Sequence, residues 1–286
     1  MDLESRGCIS MLAELLKLRR TLIMGVVNVT PDSFSDGGLF NTKEKAVEHA
    51  LRLVREGADI IDVGGESSRP ESHPVSPREE KSRVLPTIEA LSSRLDLPIS
   101  IDTRRSSVAR AALQSGAKLV NDITGLRHDP RMADLVASSD VHVVIMHMKG
   151  VPETMQVNPH YDDLMLELVD FFRERTDYAL SSGIRKDRII LDPGIGFGKR
   201  VGDNFVILNS LERIVDLGYP VMVGPSRKSF IGLTLDLPSD DRLEGTAASV
   251  TTCVLGGARI VRVHDVKQMK RVVTIADAIH MNGVVE

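Results

Sequence analysis

Two cysteines, Cys8 and Cys253, stand far apart in the 286 residues, and neither belongs to a CxxC or Cys/His cluster. Their placement argues against a disulfide framework and a structural zinc site, and fits a reducing, cytoplasmic compartment. An excess of one charge sign is also lacking: 36 Lys+Arg against 40 Asp+Glu leave a formal net charge of -4. With no global basic footprint to neutralise nucleic-acid phosphates, a small-molecule partner is expected. Long hydrophobic runs are missing too. Residues 9–18 are interrupted by Glu14 and Lys17 and preceded by Asp2, Glu4 and Arg6, so they neither span a bilayer nor form a signal-peptide core. Met11, Leu12, Leu15, Leu16 and Leu18 instead fit a short amphipathic helix that caps the domain. With no Pro/Ser-rich linker or low-complexity tract, residues 1–20 read as an N-terminal extension and 21–286 as a single domain.

What is present is a repeated architecture. Short apolar runs at 22–29, 59–63, 98–102, 118–122, 141–146, 188–192, 219–224 and 258–263 read as strands, most of them rich in Val and Ile. Near-continuous apolar runs suit parallel strands buried on both faces, and the segments between them have to supply the crossovers. In 43–55, Ala46, Val47, Ala50, Leu51 and Val54 share one helical face while Lys45, Glu48 and Arg55 face water. Comparable helices are predicted at 77–94, 106–115, 130–137, 161–182, 204–217, 241–255 and 266–280. Alternating elements also suit a doubly wound open sheet, but eight βα units in this length favour an α/β fold of the (β/α)8 TIM barrel type, with a short N-terminal helical extension.

In a barrel the C-terminal ends of all strands converge on one face. Asn28, Asp62, Asp102, Asn121 with Asp122, His147, Asp192, Ser226 with Arg227 and Lys228, and Arg262 with His264 all fall at predicted strand ends. Asp62, Asp102, Asp192 and Asn121 would gather acceptors suited to a ring bearing several N–H donors. Some of them, Asp62 among them, would equally serve to tie loops to helix N-termini. Arg69, Arg227, Lys228, Arg262 and His264 would add local positive charge for an anionic group. The segment Asp192-Pro193-Gly194-Ile195-Gly196-Phe197-Gly198-Lys199 is not a Walker loop, because Pro193 and Arg200 occupy the places that need Gly and Ser/Thr. Its glycines read as backbone bends near a ligand, with Phe197 beside an aromatic ring. Met146 and Met148 flank His147 and suit either an apolar slot for a ring or the core. Polar, glycine-containing loops at 28–38 and 64–70 read either as segments that close over substrates or as plain linkers. No HExxH motif supports a permanent transition-metal site, so magnesium carried by the substrate is expected.

The ordered set NVTPDSFSDGG, IDVGGESSRP, SIDT, NDI, MHM, DPGIGFGK, SRKS and RVHD, spanning Gly25 to Asp265, closely resembles the dihydropteroate synthase family. The resemblance implies condensation of 6-hydroxymethyl-7,8-dihydropterin diphosphate with p-aminobenzoate, with release of pyrophosphate. It assigns Asp102, Asn121, Asp192, Lys228 and Met146 to the pterin. Asn28, Asp62, Ser68, Arg262 and His264 fall to the diphosphate, with Asn28 also on Mg2+. Phe34, Ser68, Arg69, Pro70, Phe197 and Ser229 fall to p-aminobenzoate, with which sulfonamides compete. Arg262, His264, Lys228 and Asp36 would carry catalysis, Asp36 by stabilising an electron-poor methylene. Ser68 stands where the family commonly has Thr, Pro225 precedes SRKS, and Asp203-Asn204 replaces a frequent His-Asn pair, which leaves helix capping open to Asp203. A homodimer through 241–280 is a further implication. The rivals are a pterin barrel that transfers a methyl group to a corrinoid protein and a pterin-binding paralogue without turnover; the SRKS and RVHD blocks oppose the first, and intact Asn28, Lys228, Arg262 and His264 the second.

Overall fold

The computed structural model describes residues 11–30, 38–67 and 74–283. Along them run α1 (Met11–Lys17), β1 (Leu22–Asn28), α2 (Gly38–Arg55), β2 (Ile60–Gly64), α3 (Pro77–Ser92), β3 (Ile99–Asp102), α4 (Ser106–Gln114), β4 (Leu119–Asp122), α5 (Arg131–Ser139), β5 (His142–Met146), α6 (Leu164–Ser181), β6 (Ile189–Asp192), α7 (Val201–Asn209), α8 (Glu212–Val215), β7 (Met222–Val223), α9 (Ser229–Leu235), α10 (Leu243–Leu255), β8 (Ile260–Val263) and α11 (Val266–His280). The strands are ordered β6-β5-β4-β3-β2-β1-β8-β7. All their pairings are parallel. An isolated parallel bridge between Leu191 and Val221 joins the two outer strands, with Leu191 N–H donating to the Pro220 carbonyl at 2.9 Å. The result is the expected (β/α)8 barrel.

The two faces of each strand go to different cores. Ile23, Ile61, Ile101, Val120, Val143, Leu191 and Val261 pack outward with buried helix residues such as Ala50, Ile88, Ala112 and Phe172. Leu22, Met24, Ile60, Leu119, Val144, Ile190, Met222 and Ile260 point to the axis and form an apolar layer that Leu12 of α1 joins. Leu15 and Leu16 pack against the same cluster. The helix is held from its C-terminal end, where the Arg259 guanidinium donates to the carbonyls of Leu16, Leu18 and Arg19, which a helix terminus otherwise leaves unpaired.

Several boundaries differ from the sequence reading. The seventh strand is shorter than 219–224, because Pro220 has no N–H to give a ladder. The helix expected over 204–217 starts earlier and breaks at Ser210, where the chain turns to bury Leu211 completely. The helix expected from 161 starts at Leu164, because the Asp163 carboxylate caps it by accepting from Leu166 N–H. α9 lies outside every expected helix. Its place is set by the Arg242 guanidinium, which donates to the carbonyls of Arg227 and Leu237 and occupies the space a side chain at Gly232 would need.

Among the described residues no helix is long and apolar enough to cross a membrane. Leu12 is fully enclosed, so Leu12→Ala is expected to cost about 2–4 kcal/mol of unfolding free energy, the usual range for emptying a buried leucine site. Urea denaturation followed by circular dichroism measures it, and a loss under about 0.5 kcal/mol would mean that α1 contributes no core.

Candidate active site

Strand alternation decides which side chains meet. Continuing the inward parity of the apolar layer by two residues brings Asp62, Ser100, Asn121, Met146, Asp192 and Arg262 to the axis. One step further up come Asn28, Gly64, Asp102 and His264. The polar layer therefore stands directly on a dry floor, where charge–charge interactions are stronger than in water.

Arg262 organises this layer. Its Nε donates to Asp62 Oδ2 at 2.7 Å and its Nη2 to Asp102 Oδ2 at 2.9 Å. Asn121 Nδ2 adds a bond to the same Asp62 oxygen at 3.1 Å. Asp62 Oδ2 thus takes both the Arg262 and the Asn121 bonds. The second oxygen of Asp62 and the amide oxygen of Asn121 are buried with no hydrogen-bond partner, and unpaired buried acceptors are costly unless a donor arrives. Burial raises the pKa of Asp102, Arg262 opposes the rise, and the carboxylates of Asp62, Glu80 and Asp122 add to it. Asp192 is pushed up to about 6 by burial, against the Gly194 N–H and the charges of Lys228, Arg262 and Lys199.

The loop after β6 is tied at nearly every peptide. Asp192 Oδ1 accepts from Gly194 N–H at 2.7 Å, and Asn204 Oδ1 from Gly196 N–H at 2.7 Å. Gln156 Nε2 donates to the Gly196 carbonyl at 2.5 Å, and the Tyr161 hydroxyl to that of Gly198 at 2.7 Å. Gly194 and Gly198 both have positive φ, and a side chain on either would run into the backbone of 147–149. The loop carries Phe197, which is buried with Ile123, Met146, Met148 and Met155. Lys228 Nζ stands 4.0 Å from the Phe197 ring centre, a cation–π distance.

On the other flank, Ser226 Oγ accepts from His264 N–H at 3.2 Å and lies 3.0 Å from His264 Nδ1. If the hydroxyl hydrogen goes to Nδ1, Nε2 keeps its own hydrogen as a neutral donor. Burial first, then Arg262, Arg227 and Lys228, lower the His264 pKa to about 3, so the ring is uncharged at neutral pH.

Not every residue singled out in the sequence points to the barrel axis. Arg227 turns away into an ion pair with Asp265, donating from Nε at 2.9 Å. Asp122 ties its own turn through Thr124 and Leu126 N–H. His147 packs edge-on to Phe171, 4.8 Å between ring centres, rather than facing the axis. Ser229 is exposed at the first turn of α9. Asp203 caps α7, accepting from Arg200 N–H at 2.8 Å. Phe34, Asp36, Ser68, Arg69 and Pro70 lie outside the described residues. Sequence reasoning missed two features. One is Lys199, buried beside His147. The other is the network of Glu66, Glu80, Arg104, Arg105 and Thr103 beside the site. Its signal was Glu80, at the buried i, i+4 position before Val84 and Ile88 of α3.

Residues 24–264 match a protein family described as pterin binding enzyme. The chain belongs to this family. It is 48% identical over 262 residues to a dihydropteroate synthase of Synechocystis, covering 91% of each chain. The fold superposes on a Yersinia pestis dihydropteroate synthase crystallised with a sulfonamide drug, with TM-score 0.88 and 40% identity, covering 98% of this chain and 100% of that one. A Xanthomonas albilineans dihydropteroate synthase with 4-aminobenzoic acid is similar at TM-score 0.86 and 45% identity, covering 92% of this chain and 94% of that one.

Asp192 supplies a test of the electrostatics that needs no ligand. A folded pKa raised to about 6 means that the stability of the protonated form is present in acid and lost as pH rises through that value. Asp192→Asn mimics the protonated form, so it is expected to be more stable than wild type by ~1–3 kcal/mol at pH 8, with the difference vanishing toward pH 4. Urea titrations at the two pH values read the effect; an equal difference at both would refute the raised pKa.

Proposed function

We propose that this member of the family condenses 6-hydroxymethyl-7,8-dihydropterin diphosphate with p-aminobenzoate, giving 7,8-dihydropteroate and pyrophosphate in folate synthesis. One observation carries the reading: two unpaired buried acceptors, on Asp62 and Asn121, stand beside a guanidinium held by two carboxylates. That pairing suits a heterocycle rich in N–H donors that also bears an anion. The ligands named with the Yersinia and Xanthomonas proteins support the same assignment.

In this reading Asp102, Asn121, Asp192 and Lys228 hold the pterin, with Met146 against its face. Arg262 and the neutral Nε2–H of His264 take the diphosphate, with Asp62 fixing Arg262 through one oxygen and leaving the other to a ring N–H, and with Ser68 adding a hydroxyl. Phe34, Ser68, Arg69, Pro70, Phe197 and Ser229 form the p-aminobenzoate slot, where sulfonamides compete. The C–O bond to diphosphate breaks first and the electron pair leaves with the diphosphate. The amine lone pair then forms the C–N bond at the pterin methylene and the nitrogen loses a proton. No strong base is needed, so catalysis rests on preorganised charge: Arg262 and His264 toward the leaving group and Asp36 toward the methylene. The transfer is of an alkyl rather than a methyl group.

Magnesium fits as a hydrated ion carried by the diphosphate. Among the described residues no group of three or more His, Cys, Asp or Glu is arranged around a metal. Asn28, beside Gly64 at the end of β1, offers one neutral oxygen, the kind of donor set Mg2+ accepts while keeping most of its water. When bound, it would neutralise charge on the departing diphosphate. A homodimer through α10 and α11 belongs to the same reading, supported by the exposed apolar Leu255, Ile275 and Ile279 on those helices. Cytoplasmic residence is supported by the buried free thiol of Cys253, and a single barrel domain from residue 21 onward, with the first twenty residues as its extension, completes the proposal.

Purified protein with Mg2+, the dihydropterin diphosphate and p-aminobenzoate is expected to release pyrophosphate and dihydropteroate in equal amounts. EDTA should stop both, and Arg262→Ala should lower kcat by at least ~10²-fold, the scale for removing a preorganised donor. Folded wild type that binds pterin but makes neither product would leave the binding-only paralogue as the better account.

A further inference from the structure

Lys199 is the one charged residue of the glycine-rich block at 192–199 that the reaction leaves without a task. It is 3% exposed, although its side chain ends in a basic amine. Nζ donates to the Phe197 carbonyl at 3.0 Å, reaches His147 Nδ1 at 3.0 Å and lies 3.4 Å from the His147 carbonyl. As an ammonium it would meet three acceptors, two from the residue after β5 and one from the loop after β6, with His147 Nδ1 accepting when the ring hydrogen sits on Nε2. Burial and the neighbouring Lys228 charge lower the Lys199 pKa to about 7, while Asp192 and Asp203 oppose the fall. Burying a cation is costly, and a lysine used only to fill space would be replaced by an apolar side chain at less cost.

The bond to the Phe197 carbonyl is the informative one. The peptides on either side are already fixed, through Gly196 by Asn204 and Gln156 and through Gly198 by Tyr161. Lys199 pins the remaining carbonyl, that of the residue whose ring lies under the Lys228 ammonium. We propose that Lys199 is a positioning residue for the aromatic amine: it acts through the Phe197 main chain to hold that ring in place, touching neither substrate nor reacting atoms. The inference rests on the reading that Phe197 lines the p-aminobenzoate slot.

A double-mutant cycle tests it. Wild type, Lys199→Met, Phe197→Ala and the double variant are compared by steady-state kinetics with each substrate varied, and by equilibrium dialysis with p-aminobenzoate, which does not depend on turnover. Lys199→Met is expected to raise KM and Kd for p-aminobenzoate about tenfold and to change KM for the dihydropterin diphosphate less than about threefold. In the Phe197→Ala background the same substitution should change p-aminobenzoate affinity by no more than about twofold, because the ring it positions is gone. A merely structural loss would carry through both backgrounds and both substrates. The same factor in both backgrounds, equal changes for both substrates, or unchanged p-aminobenzoate affinity would each overturn the proposal. If Lys199→Met does not accumulate as folded protein, Lys199→Gln runs the same cycle, with an expected effect of about threefold in place of tenfold. Absence of product from wild type would count against the reaction, while the dialysis cycle would still decide the role of Lys199.

Discussion

The guanidinium of Arg262, held between Asp62 and Asp102, is the interaction on which the site depends. It joins β8 to β2 and β3 across the barrel axis, so three strand registers have to be right at once for it to form. On the apolar layer below, a lone charge from this group would be strongly destabilising, and breaking a buried pair costs about 3–5 kcal/mol. The requirement works in both directions. The barrel places the charges, and the charges penalise any register in which they fail to meet.

The site is electrically suited to a partner of complementary charge. Asp102 and Asp192 are pushed toward protonation by burial, while His264 is pushed toward neutrality by burial and by the cations around it. Donors placed against the two carboxylates would stabilise their ionised forms, and an anion against His264 would reduce the repulsion it feels from Arg262 and Lys228. Hydrogen bonds within the protein hold these groups in place, the kind of preorganisation that leaves little rearrangement when charge develops. The tied loop after β6 adds a mechanical counterpart, since its peptides find partners within the protein itself.

Much of this was legible in the sequence because strand period and chemistry coincide. Asp62, Asn121, Asp192 and Arg262 each sit two residues beyond an inward apolar residue, so alternation alone predicts that they share the axis. The misreadings came where local pattern gives way to tertiary packing. Residues 204–217 carry an unbroken helical pattern, and only the burial of Leu211 breaks the helix. Arg227 reads like Lys228 beside it, but a positive φ and the carboxylate of Asp265 turn it aside. Lys199 could not be found by polarity, because a lysine after a glycine-rich loop normally signals exposure or phosphate. Its meaning appears only when His147 and Phe197 are seen to converge on it.

The ring of strands has a seam. Seven neighbouring pairs are laced by ladders, whereas β6 and β7 meet through the single Leu191–Val221 bridge. Asp192 ends one side of that seam, and Lys228 follows the other. A molecule gripping both would act as a stitch, drawing together the two least firmly joined strands of the barrel. Binding and local order at that edge would therefore be one equilibrium seen from two sides, with the stiffness of the ring there setting part of the affinity.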